Sequence, residues 1–193
     1  MLHHTELGPV MDNLLFSDRS IWTMIHGIVL GGGALLGLAA ALFSLGTIHV
    51  TDAADTADAT AQNQARYLGW LLGFVAVALW LTVLMGTYVN FPAYRANPPA
   101  GLADLTHYPK ALVQSSPRTM WLHSFAMETK EQMPWIAAIL ATGMAFVSTR
   151  HRSRLLHDAS LRRFSMFLLA TCFALVAVVS LLGIFINKVA PLE

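Results

Sequence analysis

The stretch IWTMIHGIVLGGGALLGLAAALFSL, residues 21 to 45, contains no Asp, Glu, Lys or Arg. As a helix it is long enough to cross the ~30 Å hydrocarbon core of a bilayer, which needs ~20 residues. Lipid offers no hydrogen-bonding partner to an open backbone, so a helix is the form such a segment takes. Working outward, Tyr67 to Val89 is a second block free of charge and Phe164 to Ile186 another. The block from Met133 to Thr149 is shorter and follows a polar lead-in. The reading is all-α: an integral membrane four-helix up-down bundle, a single membrane domain over 1-193, with helices near 18-47, 67-90, 117-149 and 162-187.

Composition supports this class. Of 193 residues, 55% are hydrophobic and 12% charged, about half the charged share of an ordinary soluble domain. Abundant apolar surface excludes disorder. A net charge of +1 gives no basic stripe for nucleic acid. One cysteine, Cys172, excludes an intramolecular disulfide and any CxxC metal site. Glu6, Asp12 and Asp18 precede the first block where a signal peptide carries positive charge, so the block is expected to be retained. Arg150, Arg152, Arg154, Arg162 and Arg163 face one acid, Asp158, in the last connection. The positive-inside rule then makes 150-163 cytoplasmic, with both termini on the opposite side of a membrane expected to be a bacterial inner membrane.

Small residues recur four apart, as Gly27 and Gly31, Gly33 and Gly37, and Gly69 and Gly73. They predict close helix approach, or room beside His26 for a flat macrocycle. Of eight histidines, only His26 and His123 fall in helices near the membrane, where a polar residue is a functional candidate. In an up-down bundle both start parallel helices, one and three, on the same side. Neighbouring helices ~8–10 Å apart place diagonal axes about 11–14 Å apart. That gap suits two imidazoles with an iron porphyrin between them.

In these four spans and this histidine pair the chain resembles the four-helix membrane-bound b-type cytochromes. The resemblance implies one haem b per chain, with His26 and His123 as axial ligands to its iron. It also implies electron transfer, to or from a partner protein or quinone, within a larger respiratory complex. Tyr88, Asn90, Tyr94 and Arg95 end helix two on the same side, and Arg95, Arg118 or Lys110 can pair with propionates. Met127, four residues after His123, is either an alternative ligand or packing.

The segment WLHSFAMETKEQMPW, 121 to 135, is the most unusual in the chain. A helix from Pro117 to Thr149 runs about 50 Å. Its excess over the membrane core puts Glu128, Lys130 and Glu131 at the headgroups, as a salt-bridged turn. The functional alternative is a proton or quinone site. If all the excess protrudes, His123 stands about 10 Å outside the core and the two histidines differ in depth. Pro134 is a candidate kink.

Catalytic signatures such as GxGxxG, GxSxG, a Walker loop or HExxH are absent, which points to a non-catalytic electron-transfer or accessory subunit. The alternative function is a cofactor-free scaffold of a larger membrane oxidoreductase or photosynthetic complex. A magnesium chlorin on a histidine is a further option. A transporter is disfavoured, since helices two and four carry no embedded charge. His49, His151 and His157 form either a second site or a solvated loop facing anionic lipid.

Overall fold

The computed structural model describes residues 18–48 and 57–190; His3, His4 and His49 lie outside them. Six helices account for most of these residues. α1 is Asp18–Gly46, α2 covers 57–95, α3 is Pro109–Gln114, α4 is Leu122–Arg150, α5 is Arg152–His157 and α6 is Ala159–Val189. Four of them, α1, α2, α4 and α6, are long and apolar enough to cross a membrane. The fold is an all-α membrane bundle, and the protein is an integral membrane protein.

α1 packs on α2 and α6, and α4 packs on the same two, so α1 and α4 are diagonal. The start of α1 meets the end of α2, and the start of α4 meets the ends of α2 and α6, so successive spans are antiparallel. The interior is apolar and small-sided: Ala34, Leu38 and Ala41 of α1, Leu72 and Val75 of α2 and Ala137 and Ala141 of α4 belong to one buried cluster. The outward residues are equally apolar. Leu36 is 75% exposed, Phe43 75% and Trp70 73%. Such a belt all round the bundle is stable against lipid and not against water.

Two of the recurrent glycines set helix spacing. A Cβ on Gly37 would fall 2.5 Å from Val75 Cγ2, and one on Gly69 would fall 3.1 Å from Thr149 Cγ2. Gly27, Gly33 and Gly73 face open space instead. Trp80, in mid-span, packs edge-on against Trp135 at 5.8 Å and donates from Nε1 to Thr142 Oγ1 at 3.0 Å. A half-buried indole thereby keeps its one donor satisfied.

Helix ends differ from the expected ones for local reasons. α2 begins ten residues before the apolar block, because the polar stretch through Gln64 is helical too. Gln64 Nε2 donates to Ser44 O, one of the orphan carbonyls that end α1, and to the Thr47 hydroxyl. Ser116 Oγ accepts from Arg118 N, so Ser116 caps a turn at 117–119 and α4 begins just beyond it. Asp158 caps α6 by accepting from Ser160 N and Leu161 N. Pro134 lies inside α4, which continues through it.

Candidate functional site

Three of the four spans depart from α geometry at the same end of the bundle. Ile25–Gly32 of α1, Gly86–Asn90 of α2 and Leu122–Met127 of α4 are π-helical. A π turn fits one extra residue into the helix and is frequent at functional sites. These three segments carry His26, Asn90 and His123. α6 stays α-helical throughout.

The apolar interior is divided at this end. One cluster runs through the bundle up to Val83, Ala137 and Val176. A second, built on Tyr94, Val113, Leu122, Met127, Leu182 and Ile186, closes the end under α3. Between them lies a polar layer. The His26 ring sits on Gly86 so closely that a Cβ there would fall 2.9 Å from His26 Cε1. Lys130 of α4 lies within electrostatic reach of that ring. Its Nζ extends to Gly183 of α6, 3.4 Å from where a Cβ would stand. Glycines on two helices thus make room for an imidazole and an ammonium. Three polar atoms here are buried with no partner among the described residues: His26 Nδ1, Asn90 Nδ2 and Glu131 Oε1. An unpaired polar atom in an apolar interior costs about 1–3 kcal/mol.

His123 belongs to an outer level. Tyr94 Oη lies 3.1 Å from its Nδ1. Lys110, Glu128 and Arg95 lie within its electrostatic reach. Arg95 Nη2 stands 3.6 Å from Glu131 Oε2, and its guanidinium lies 4.3 Å over the Phe91 ring. Gly86, Asn90 and Tyr94 repeat four apart on one face of α2, so Asn90 links the inner level to the outer one. Met127 is buried in the second apolar cluster. Tyr88 is 71% exposed, and Arg118 is exposed as well.

The depth of the two histidines follows from these contacts. His26 stands at the height of Gly86 and His123 at that of Tyr94, about 12 Å further along α2 at ~1.5 Å per residue. Lys130, which faces His26, lies about 10 Å along α4 from His123 by the same rise. A porphyrin held between the diagonal helices α1 and α4, with axes about 11–14 Å apart, stands along the bundle axis, because a tilted ring runs into the other two helices. Its two axial ligands then share one height. Across from His26 at its own height is Lys130, not His123. At this register the residues do not fit one haem clamped between His26 and His123.

Gly86, Thr82 and Gly183 are site residues that the sequence reading did not single out. The backbone of Thr82 also faces the His26 ring. Glycines in apolar helices are common, and nothing in their spacing marks these two as seats for polar groups. Glu128 is exposed and Glu131 half-buried, whereas Lys130 turns inward. The charged trio is thus split between surface and interior. Among the described residues no group of three His, Cys, Asp or Glu is placed to hold a metal ion. Cys172 is buried, with Sγ 3.4 Å from Ala137 O, and packs as a small apolar residue.

Fold and site together define a class, an integral membrane four-helix bundle with a polar layer buried at one end. Comparison with family models, curated proteins and solved structures gives no match.

Proposed function

We propose that this protein is a membrane subunit of an electron-transfer assembly, and that its polar layer hydrogen-bonds a quinone head group and exchanges protons with it. The observation that carries this reading is the set of three unpartnered buried atoms, on His26, Asn90 and Glu131, around an inward Lys130. A purely structural core replaces such groups by apolar ones at no loss. A quinone presents two carbonyl oxygens. The Lys130 ammonium and the Asn90 amide are donors for them, and His26 Nδ1, the ring nitrogen left over beside the Thr82 backbone contact, accepts from a hydroxyl of the reduced form. Glu131 reaches from the layer to Arg95 at the surface, so its carboxylate can pass a proton outward. The electrons come from or go to a redox centre on a partner subunit.

The test uses the full chain in lipid nanodiscs. Decylubiquinone is titrated against tryptophan fluorescence, with Trp135 five residues from Lys130. Saturable quenching, weakened at least tenfold in Lys130→Met and in Asn90→Leu, is the expected result. Quenching that never saturates, or is identical in the variants, removes the quinone site and leaves the scaffold reading. A reduced-minus-oxidised spectrum of the same sample checks the haem b alternative. A b-type band lost in His26→Ala and His123→Ala would mean that the two histidines come to one height and would overturn the proposal.

A further inference from the structure

The opposite end of the bundle carries a separate site. α4 ends at Arg150, His151 turns the chain, and α5 occupies Arg152–His157 before Asp158 extends into α6. Two reversals within eight residues gather side chains around one cleft. It has a volume of about 370 Å³ and is lined by Gln62, Arg150, Arg152, Ser153, Leu156 and His157. That volume is in the ~300–1,000 Å³ range of small-molecule sites. Its one apolar lining residue is Leu156, which is buried against the bundle core.

The charges at this end are unevenly engaged. Arg162 Nη1 donates to the carbonyls of Leu155 and Leu156, and Arg163 Nε donates to Ala159 O. Asp158 is occupied as the cap of α6. Among the described residues neither Arg150 nor Arg152 has an ion-pair partner, and Arg152 Nε is buried with no hydrogen-bond partner at all. A buried, unpaired guanidinium nitrogen calls for an acceptor, and the fork of an arginine matches the oxygens of a phosphate. His157 Nδ1 donates to Ser153 O at 2.8 Å, which fixes the imidazole at the rim. Ser153 and Gln62 add a hydroxyl and an amide.

We propose that this cleft binds a phosphate-bearing anion, held by Arg150 and Arg152 with Ser153 and Gln62 completing its donor set. Its place at the ends of two spanning helices, α2 and α4, puts the anion at the height of lipid headgroups, where basic pockets between helices take anionic lipid. A phosphodiester lipid and a free phosphate share this chemistry. The site is independent of the polar layer at the other end.

The experiment takes the full chain in detergent and adds dioleoylphosphatidylglycerol, dioleoylphosphatidylcholine or inorganic phosphate. Native mass spectrometry reads retained lipid, and thermal melting reads protection. Wild type is expected to retain phosphatidylglycerol over phosphatidylcholine by more than tenfold. Arg152→Gln should lose roughly fivefold and Arg150→Gln with Arg152→Gln roughly 25-fold, as follows from about 1 kcal/mol per arginine at an anionic headgroup. Arg154→Gln, exposed and outside the cleft, should lose no more than about twofold. Arg152→Lys keeps the charge without the fork and shows, by its melting in lipid-free detergent, that the fold survives. Protection by millimolar phosphate that Arg152→Gln abolishes, without lipid preference, also supports the site and names a soluble ligand. Equal retention by wild type and the double variant, or an equal loss in Arg154→Gln, overturns the proposal.

Discussion

Lys130→Met separates what the polar layer does for the fold from what it does for function. The ammonium has no ion-pair partner among the described residues, where the one ion pair is Arg95 with Glu131. Its Nζ instead rests against Gly183, 3.4 Å from a Cβ position there. A lysine at the centre of a membrane helix costs ~2.5–3.5 kcal/mol on insertion scales, and less about two turns from the end of the span, where Lys130 sits. Methionine has a similar length and no charge, so it occupies the same channel beside Gly183. Removing the charge should therefore stabilise the bundle by about 2 kcal/mol, after allowing for imperfect packing of the thioether. For a chain of 150–250 residues that corresponds to a rise in Tm of roughly 4–8 °C. The assay is thermal unfolding in a fixed detergent, followed by tryptophan fluorescence and by helical circular dichroism. A fall in Tm of a few degrees would refute the reasoning, because it would mean that the ammonium is paired and contributes net stability. The same variant should lose quinone quenching. Gain of stability with loss of binding is what a functional charge produces, and a structural one cannot.

Three further outcomes follow from particular contacts. Gly86→Ala should cost about 1–2 kcal/mol in wild type, where the new Cβ meets His26 Cε1, yet stabilise His26→Ala by about 1 kcal/mol through helix propensity; a double-mutant cycle additive within ~0.5 kcal/mol would remove the His26–Gly86 contact. Gly37→Ala should destabilise by about 1–3 kcal/mol because its Cβ would overlap Val75 Cγ2, and Val75→Ala should restore most of that loss in the same unfolding assay. Asp158→Ala should cost about 1 kcal/mol by uncapping α6 and Asp158→Asn much less, read as Tm; equal losses would mean that the carboxylate's charge matters and not its capping oxygen.

The spans were legible because lipid removes the alternatives. Twenty or more apolar residues without charge have one stable form, and their order fixes an up-down bundle. The diagonal placement of helices one and three was legible for the same reason. The start of α2 was not, since Ala57 to Arg66 is polar and its helicity depends on Gln64 reaching across to the end of α1. The sequence marks Lys130 and Glu131 as unusual and is compatible with a place at the headgroups or in the interior. Only tertiary register decides that: a 1.5 Å rise per residue turns a shift of one helical turn into ~5 Å of depth. The glycines that seat His26 and Lys130 carry no signal of their own, because what they accommodate comes from another helix.

The π segments bear on why the layer sits where it does. Each is a local departure from the best backbone geometry, and each unpartnered buried atom adds an unfavourable term of its own. Such departures, if random, would be spread over both ends of four spans. Here all three π segments and three of the unpartnered atoms fall at one end, on helices that face each other. At the other end the same helices pack alanine, leucine and valine in continuous α geometry. A sequence able to build the second kind of interior has no stability reason to build the first. The wider π turns aim His26 and Asn90 at the polar layer and His123 at the outer level beside it, from helices whose α register elsewhere presents small apolar residues. Local cost is concentrated where side chains must be aimed, and this is the pattern expected of a site that receives a ligand.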